Sequence, residues 1–269
     1  MLLDAFNRQI NYLRISVTDR CNHRCVYCTP AMHFAHKHAS GILSYEQIEN
    51  IVRVAASLGI SKVRLTGGEP LVRSNIENLV SRLAGIEGVD EVCMTTNGSL
   101  LAPKALLLKT KGLRRVNISL DCLDPEQYRR ITGGGDLNAV LAGIDAALQA
   151  GLTPVKINMV ILDQTVEEEI EAMKEFCQHK GLQLQKIMQF SLYDRAELSR
   201  RFQADRPPDC QDCNRLRLTA DGFLKPCLFS DKEIRVDFDE IKGSILRAVM
   251  SKPQSGKSCR NRIMREIGG

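Results

Sequence analysis

The sequence predicts an α/β fold, an incomplete (β/α)6 barrel of parallel strands. Short β-branched runs alternate along the chain with amphipathic segments, and six such runs occur before the pattern breaks. Strict alternation of strand and helix indicates parallel strands joined by right-handed crossovers. Six units suit an open barrel better than a closed barrel of eight units. Reactive residues in such barrels lie at the carboxyl ends of the strands and in the loops that follow.

Residue type and periodicity place the elements in order. The β-branched runs predict buried strands at residues 12–17, 62–66, 91–95, 114–120, 154–160 and 184–190. Apolar residues at helical spacing predict amphipathic helices at residues 44–58, 75–83, 138–150 and 166–179. Two further runs, 214–219 and 223–228, flank Ala220, Asp221 and Gly222. This predicts a hairpin, because glycine readily supplies the positive φ of its turn.

A polar, arginine-rich stretch at residues 193–206 follows the sixth predicted strand and is succeeded by Pro207 and Pro208. This composition is typical of a linker. We therefore predict a barrel in residues 1–208 and a separate C-terminal region in residues 209–269, which contains the hairpin, further cysteines and a basic tail.

Composition limits the classes of function. The chain has 269 residues, of which 43% are hydrophobic and 26% charged, as expected for one large globular domain with an appendage. It has no apolar run near the roughly 20 residues that cross a bilayer and no signal-like start, so we expect a cytoplasmic protein outside membranes. The net charge of +5 suits an anionic ligand. Ten cysteines in a cytosolic chain indicate ligands or catalytic groups rather than disulfides.

Three cysteines follow the first predicted strand directly. Cys21, Cys25 and Cys28 have the spacing C-x3-C-x2-C, which places them in a loop at the catalytic end of the barrel. Three thiolates suit three irons of a cubane cluster and leave the fourth iron open to an outside molecule. The alternative is a zinc site completed by His23 or His33, although this spacing after a strand is uncommon for zinc.

This triplet, with Tyr27 before its last cysteine, resembles the signature of the radical S-adenosylmethionine (SAM) superfamily. The motif G-G-E-P at residues 67–70 ends the second predicted strand, where the superfamily has a turn that holds the methionyl group. The resemblance implies a 4Fe-4S cluster that cleaves SAM to a 5′-deoxyadenosyl radical, in chemistry that the cofactor supplies. It also implies that Tyr27, Gly68 and Ser119 bind SAM, with Thr95 bordering the same pocket.

A second cysteine group brackets the predicted hairpin. Cys210, Cys213 and Cys227 have the spacing C-x2-C-x13-C, and again only three cysteines are present. A zinc ribbon usually has a second C-x2-C pair, which this segment lacks, although Cys259 could supply a fourth ligand. The favoured interpretation is a second 4Fe-4S cluster whose open iron takes a Lewis-basic substrate atom.

The segment N-R-L-R-L-T-A-D-G at residues 214–222 and the terminal Gly268 and Gly269 resemble the GTP 3′,8-cyclases of molybdenum cofactor biosynthesis. In those enzymes the second cluster binds guanine, the adenosyl radical removes the ribose 3′ hydrogen, and the carbon radical attacks C8. The resemblance implies that Gly268 and Gly269 reach into the active site and that Arg215 and Arg217 act there. It also assigns substrate binding to Arg14, Arg64, Thr95, Lys156, Asn214, Arg215 and Arg217.

The resemblance implies GTP as the small-molecule substrate and an electron donor such as flavodoxin or ferredoxin. It allows a homodimer, and we expect no nucleic-acid partner. Lys186 stands where we expect an arginine of the family, and the segment between the sixth strand and the second cysteine group is shorter than in the family. Two alternatives stay open: a shortened relative acting on another nucleotide or a peptide, and a zinc-stabilised binding module.

Overall fold

Six parallel strands form the larger part of one sheet in the computed structural model, which describes residues 1–28, 41–193, 205 and 209–268. They are β1 (Tyr12–Ser16), β2 (Lys62–Thr66), β3 (Glu91–Thr96), β4 (Arg115–Ser119), β5 (Lys156–Ile161) and β6 (Gln183–Met188). Three shorter strands follow: β7 (Arg215–Leu218), β8 (Phe223–Lys225) and β9 (Ile234–Arg235).

The sheet has the order β6-β5-β4-β3-β2-β1-β7-β8-β9, and it is open between β6 and β9 in the described part of the chain. The predicted incomplete barrel is therefore confirmed, with the strand ends shifted by one or two residues. The hairpin is confirmed as well, since β7 and β8 pair antiparallel and Gly222 turns between them at φ +87°.

Helices on the outside of the sheet cover its buried face. They are α1 (Tyr45–Ser57), α2 (Ile76–Ala84), α3 (Ala105–Thr110), α4 (Pro125–Thr132), α5 (Leu137–Gln149), α6 (Glu167–His179) and α7 (Ile241–Met250). A further short helix, α8 (Met264–Ile267), lies near the C-terminus and contacts β1. The four predicted helices correspond to α1, α2, α5 and α6. No helix among the described residues is both long and apolar enough to span a membrane.

Alternation along each strand separates the core from the barrel interior. Leu13 and Ile15 of β1 are fully buried in the main hydrophobic core, whereas Tyr12 and Arg14 face a cavity on the other side of the strand. This is the period of two that a strand imposes on its side chains. The hydrophobic residues thus fix which polar residues of the strand line the interior.

The C-terminal region continues the same sheet, because β7 pairs in parallel with β1. Arg8, in the segment before β1, strengthens this junction by donating hydrogen bonds to the carbonyl oxygens of Cys210, Pro253 and Gln254. The division at residue 208 stays a prediction, since residues 206–208 and most of the linker lie outside the described residues. Gly269 and His33 also lie outside them.

Candidate functional site

Two adjoining cavities occupy the barrel interior. The larger, which we call the cysteine cavity, encloses about 990 Å³ and is lined by Cys21, Cys25, Cys28, Tyr27, Gly67, Gly68, Glu69, Thr95, Ser119 and Met264, among others. The second, the basic cavity, encloses about 800 Å³ and is lined by Tyr12, Arg14, Lys62, Arg64, Asn117, Lys156, Arg215 and Arg217, among others. Asn158, Ile187 and Phe190 line both cavities, so they are neighbours.

The loop after β1 presents three half-buried thiols to the cysteine cavity. Cys25 and Cys28 lie in one turn, closed by a 3.0 Å hydrogen bond from the Cys28 amide to the Cys25 carbonyl. Burial raises the pKa of Cys21, and it raises the pKa of Cys28 to about 12. Iron ligation needs thiolates, so positive charge from the metal would have to offset this burial. Three thiols that line one cavity are the donor set that a 4Fe-4S cluster with one open iron takes.

The Gly-Gly turn packs against the backbone of the cysteine loop. A Cβ on Gly67, which has φ +140°, would lie 2.4 Å from the Thr18 carbonyl oxygen, and one on Gly68 would lie 2.1 Å from that of Arg20. Hydrogen bonds of 2.8 Å, from Gly68 N to Thr18 O and from Glu69 N to Arg20 O, join the two segments. Only glycine permits this close approach of the two backbone segments, and both glycines line the cavity beside the thiols.

A buried carboxyl fixes the far side of the turn. Glu69 accepts hydrogen bonds from Thr96 Oγ1 at 2.7 Å, from the Asn97 amide at 2.7 Å and from the Leu71 amide at 3.0 Å. Burial raises its pKa to about 7 despite these donors. Glu69 thereby ties the turn to the end of β3, a role that the sequence analysis did not assign although the residue belongs to the G-G-E-P motif.

Tyr27 is held by another carboxyl that the sequence analysis missed. Its hydroxyl donates to Asp121 Oδ2 at 2.8 Å, and Asp121 Oδ1 accepts from the Val160 amide at 2.9 Å. Burial raises the pKa of Asp121 to about 6. This chain of contacts connects the cysteine loop to β5 across the cavity. The signal in the sequence was the aspartate two residues after Ser119.

Strand register lines up three guanidinium groups in the basic cavity. Arg14 of β1 is paired with Arg64 of β2 on one side and with Arg217 of β7 on the other. Burial lowers the pKa of Arg14 to about 9, and repulsion from Arg217 and Arg64 adds to this. Buried like charges in a row are costly without an anion. The row therefore favours a bound anion.

Neighbouring polar groups orient these cations. Arg64 donates to Tyr12 Oη at 2.5 Å and to Asn117 Oδ1 at 2.9 Å, and it also contacts Thr95 Oγ1 at 3.3 Å. Burial raises the pKa of Tyr12, but Arg14 and Arg64 outweigh that effect and lower it. The phenol therefore acts as a hydrogen-bond acceptor between two cations. Tyr12 is a further cavity residue that the sequence analysis did not single out.

Arg215 and Arg217 both line the basic cavity, because residues two positions apart lie on the same face of a strand. Arg215 Nε is buried and, among the described residues, has no hydrogen-bond partner, which leaves a donor for a ligand. Asn214 instead donates to Asn11 Oδ1 at 2.8 Å and is not a lining residue. Lys186 is not one either, since its neighbours Gln185 and Ile187 face the cavity.

Two members of the second cysteine group, Cys213 and Cys227, lie close enough to Arg217 to raise its pKa, although burial lowers that pKa more strongly. Cys210 and Cys213 share a turn, with the Cys213 amide 3.3 Å from the Cys210 carbonyl oxygen. Within the described ranges, no three His, Cys, Asp or Glu side chains surround a single metal-ion position. A cubane does not require that arrangement, because each of its thiolates binds a different iron.

The tail also reaches the cavities. Arg217 Nη1 donates to the carbonyl oxygen of Gly268. Gly268 has φ +72°, and a Cβ there would lie 2.3 Å from Thr66 Cγ2, so only glycine fits without displacement. Of the site residues assigned from the sequence, the structure places the first cysteine group around the cysteine cavity, together with Tyr27, Gly68 and Ser119, which are predicted to bind SAM. The basic cavity beside it is lined by Arg14, Arg64, Lys156, Arg215 and Arg217, and Gly268 contacts Arg217.

Comparisons with known proteins agree with this site. A model of the radical SAM superfamily matches residues 15–177. The GTP 3′,8-cyclase of Moorella thermoacetica is 40% identical over 321 aligned residues, and that of Alkaliphilus oremlandii is 37% identical over 318. Each alignment covers 99% of both chains. Since this chain has 269 residues, both relatives contain residues that it lacks.

Solved structures support the fold. Streptococcus suis SuiB bound to precursor peptide SuiA matches with a TM-score of 0.72 at 16% identity, over 92% of this chain and 66% of SuiB. Native anSMEcpe with bound AdoMet matches with a TM-score of 0.65 at 14% identity, over 90% of this chain and 81% of the other. Because the superfamily model covers more than half of the chain and the cyclases align with nearly all of it, the chain belongs to the radical SAM superfamily and, within it, to the family of the GTP 3′,8-cyclases.

Proposed function

We propose that this radical SAM enzyme converts GTP to (8S)-3′,8-cyclo-7,8-dihydroguanosine 5′-triphosphate, a step of molybdenum cofactor biosynthesis. The observation that carries the proposal is the buried row of Arg14, Arg64 and Arg217 beside the cysteine cavity. Guanidinium groups can pair bidentately with phosphate oxygens, and a triphosphate needs several of them. The names of the relatives give GTP as the matching anion.

As a member of the superfamily, the protein uses SAM and a 4Fe-4S cluster. Cys21, Cys25 and Cys28 would hold three of the irons. When bound, the cluster and SAM supply a 5′-deoxyadenosyl radical that removes a hydrogen atom from the substrate. The protein's own part is to hold SAM beside the substrate and to exclude water. Tyr27, fixed by Asp121, and the Gly-Gly turn, fixed by Glu69, form two rigid walls for that purpose.

A second 4Fe-4S cluster on Cys210, Cys213 and Cys227 belongs to the same proposal. Its open iron would take a Lewis-basic atom of guanine, while the arginine row takes the phosphates. Arg217 lies near both proposed binding sites, since it is close to Cys213 and Cys227 and is also the register partner of Arg14 on the neighbouring strand. The proposal also includes an electron donor such as flavodoxin or ferredoxin and a cytoplasmic location. It includes no nucleic-acid partner, and it allows a homodimer.

Anaerobic turnover with SAM, a reductant and GTP tests the proposal, with the products analysed by mass spectrometry. We expect 5′-deoxyadenosine and an isomer of GTP in matching amounts. ATP is the matched control, because it carries the same triphosphate on a different base. Conversion of ATP but not GTP, or of neither, would exclude the cyclase activity and favour the alternative of another substrate.

Arg217→Ala is expected to weaken GTP conversion by about 1 to 3 kcal/mol, or roughly 5- to 150-fold, because a charged hydrogen bond to the substrate is lost. SAM cleavage without GTP should change much less, since Arg217 lines the basic cavity and not the cysteine cavity. GTP conversion is measured as cyclised nucleotide in a reaction with GTP, and SAM cleavage as 5′-deoxyadenosine in a parallel reaction without GTP. Arg53→Ala is the control, because that side chain is 60% exposed on α1. Unchanged GTP conversion would make Arg217 a structural cation.

A further inference from the structure

The short helix α8 brings an apolar side chain to the cysteine cavity. Met264 lines this cavity together with Tyr27 and Phe190, and the same three residues also line a smaller adjoining cavity. We propose that Met264 is part of the SAM site and contacts the adenosyl end of the molecule. This inference rests on the cofactor of the superfamily and does not depend on GTP as the substrate.

The cavity has two ends of different chemistry. One end is polar, because Glu69 ties the Gly-Gly turn to Thr96 and Asn97 through hydrogen bonds of 2.7 Å. The other end is apolar: Val160, Met188 and Phe190 line it from β5, β6 and the residues after β6, and the sheet order puts β4 between these strands and β2 and β3. Met264 belongs to this end, because it packs with Phe190 against one hydrophobic cluster. SAM has the same asymmetry, with charged amino and carboxylate groups at one end and a flat adenine ring at the other. Matching the two places the adenine beside Met264.

Met264 is held in place by an ion-pair network of Arg262, which lies just before α8. Arg262, whose side chain is 7% exposed, donates to both carboxylate oxygens of Glu233 at 3.0 and 2.8 Å and to Asp221 at 2.9 Å. On the other side of Met264, Ile267 is fully buried. The thioether is therefore fixed between two anchors, which distinguishes it from a side chain on a frayed end.

The same helix ends beside the other cavity, because the Gly268 carbonyl accepts a hydrogen bond from Arg217, which lines that cavity. Met264 on α8 and its C-terminal cap Gly268 thus connect the two cavities.

The test is SAM affinity of the reconstituted holoprotein without nucleotide, measured anaerobically by equilibrium dialysis. Met264→Ala should bind SAM about 3- to 30-fold more weakly, as expected for the loss of one buried apolar contact. Met264→Leu should stay within about threefold of the unchanged protein, because it keeps most of that contact. Met250→Ala is the matched control, since Met250 is 57% exposed on α7. Iron content should be equal in all four proteins.

The two halves of SAM separate a binding role from a structural one. Affinity for 5′-deoxyadenosine should fall in Met264→Ala by about the same factor as affinity for SAM, whereas affinity for methionine should not change. Equal losses for both fragments would overturn the assignment to the adenosyl end. Unchanged SAM affinity at full iron content would overturn the proposal itself. Neither outcome would bear on conversion of GTP, which is measured separately.

Discussion

Replacing Cys21, Cys25 and Cys28 together with alanine is expected to abolish SAM cleavage and to remove about four of about eight irons per anaerobically reconstituted chain. The physical reason is that, among the residues the structure describes, these three thiols are the only cysteines lining the cavity that also contains the Gly-Gly turn. Without them, no iron can be placed beside SAM. Iron and labile sulfide analysis measures the iron content, and 5′-deoxyadenosine formation with a chemical reductant measures SAM cleavage.

Cys177→Ala is the matched control for this variant, because Cys177 is a buried thiol on α6 away from both cysteine groups. It should retain full iron content and full cleavage. SAM cleavage at the normal rate in the triple variant would contradict the assignment of these three cysteines to the cluster that cleaves SAM. Loss of all the iron would show that the second group does not hold a cluster independently.

Replacing Cys210, Cys213 and Cys227 with alanine should have a different effect. We expect conversion of GTP to disappear while some SAM cleavage remains, uncoupled from product, because these residues lie by Arg217 and not in the cysteine cavity. About four irons should remain, bound to the first group. The ratio of 5′-deoxyadenosine to cyclised nucleotide in one reaction measures the uncoupling.

Circular dichroism and the iron count show whether this second variant is still folded. Parallel loss of cleavage and conversion in a folded protein with four irons would mean that the second group supports the first site structurally. Colourless protein containing zinc in place of iron would favour the zinc-stabilised module. The two triple variants thus separate the proposed roles of the two groups.

The alternation of strands and helices was sufficient to predict the open barrel. Each predicted strand appears because its β-branched residues are buried against helices, a signal that depends only on local sequence. The first cysteine group, Gly68, Tyr27 and Ser119 line one cavity, as expected from motifs that resemble those of the superfamily, and their roles in binding iron and SAM stay predictions. Helices α3 and α4 were not predicted, since α3 has only six residues and α4 has a strongly polar composition.

Contacts between distant segments were beyond the sequence. The pairing of Arg14 with both Arg64 and Arg217 depends on strand register, which neighbouring residues in the chain do not reveal. Met264 was read as part of a basic tail, because its contribution to the cavity depends on where α8 docks. The carboxyls of Glu69 and Asp121 were missed because what distinguishes them is the burial that raises their pKa, and residue type alone does not reveal burial.

The pairing of β1 with β7 has a consequence for how the protein is made. β1 leaves the ribosome early, and its partner β7 is synthesised only after all six parallel strands. Until then β1 has one unpaired edge, the kind of surface on which nascent chains aggregate. The first cysteine group is complete at that stage, whereas Arg217 and α8 do not yet exist. Synthesis therefore imposes an order on this protein: the thiols of the first cysteine group are present on the nascent chain before those of the second group and before Arg217.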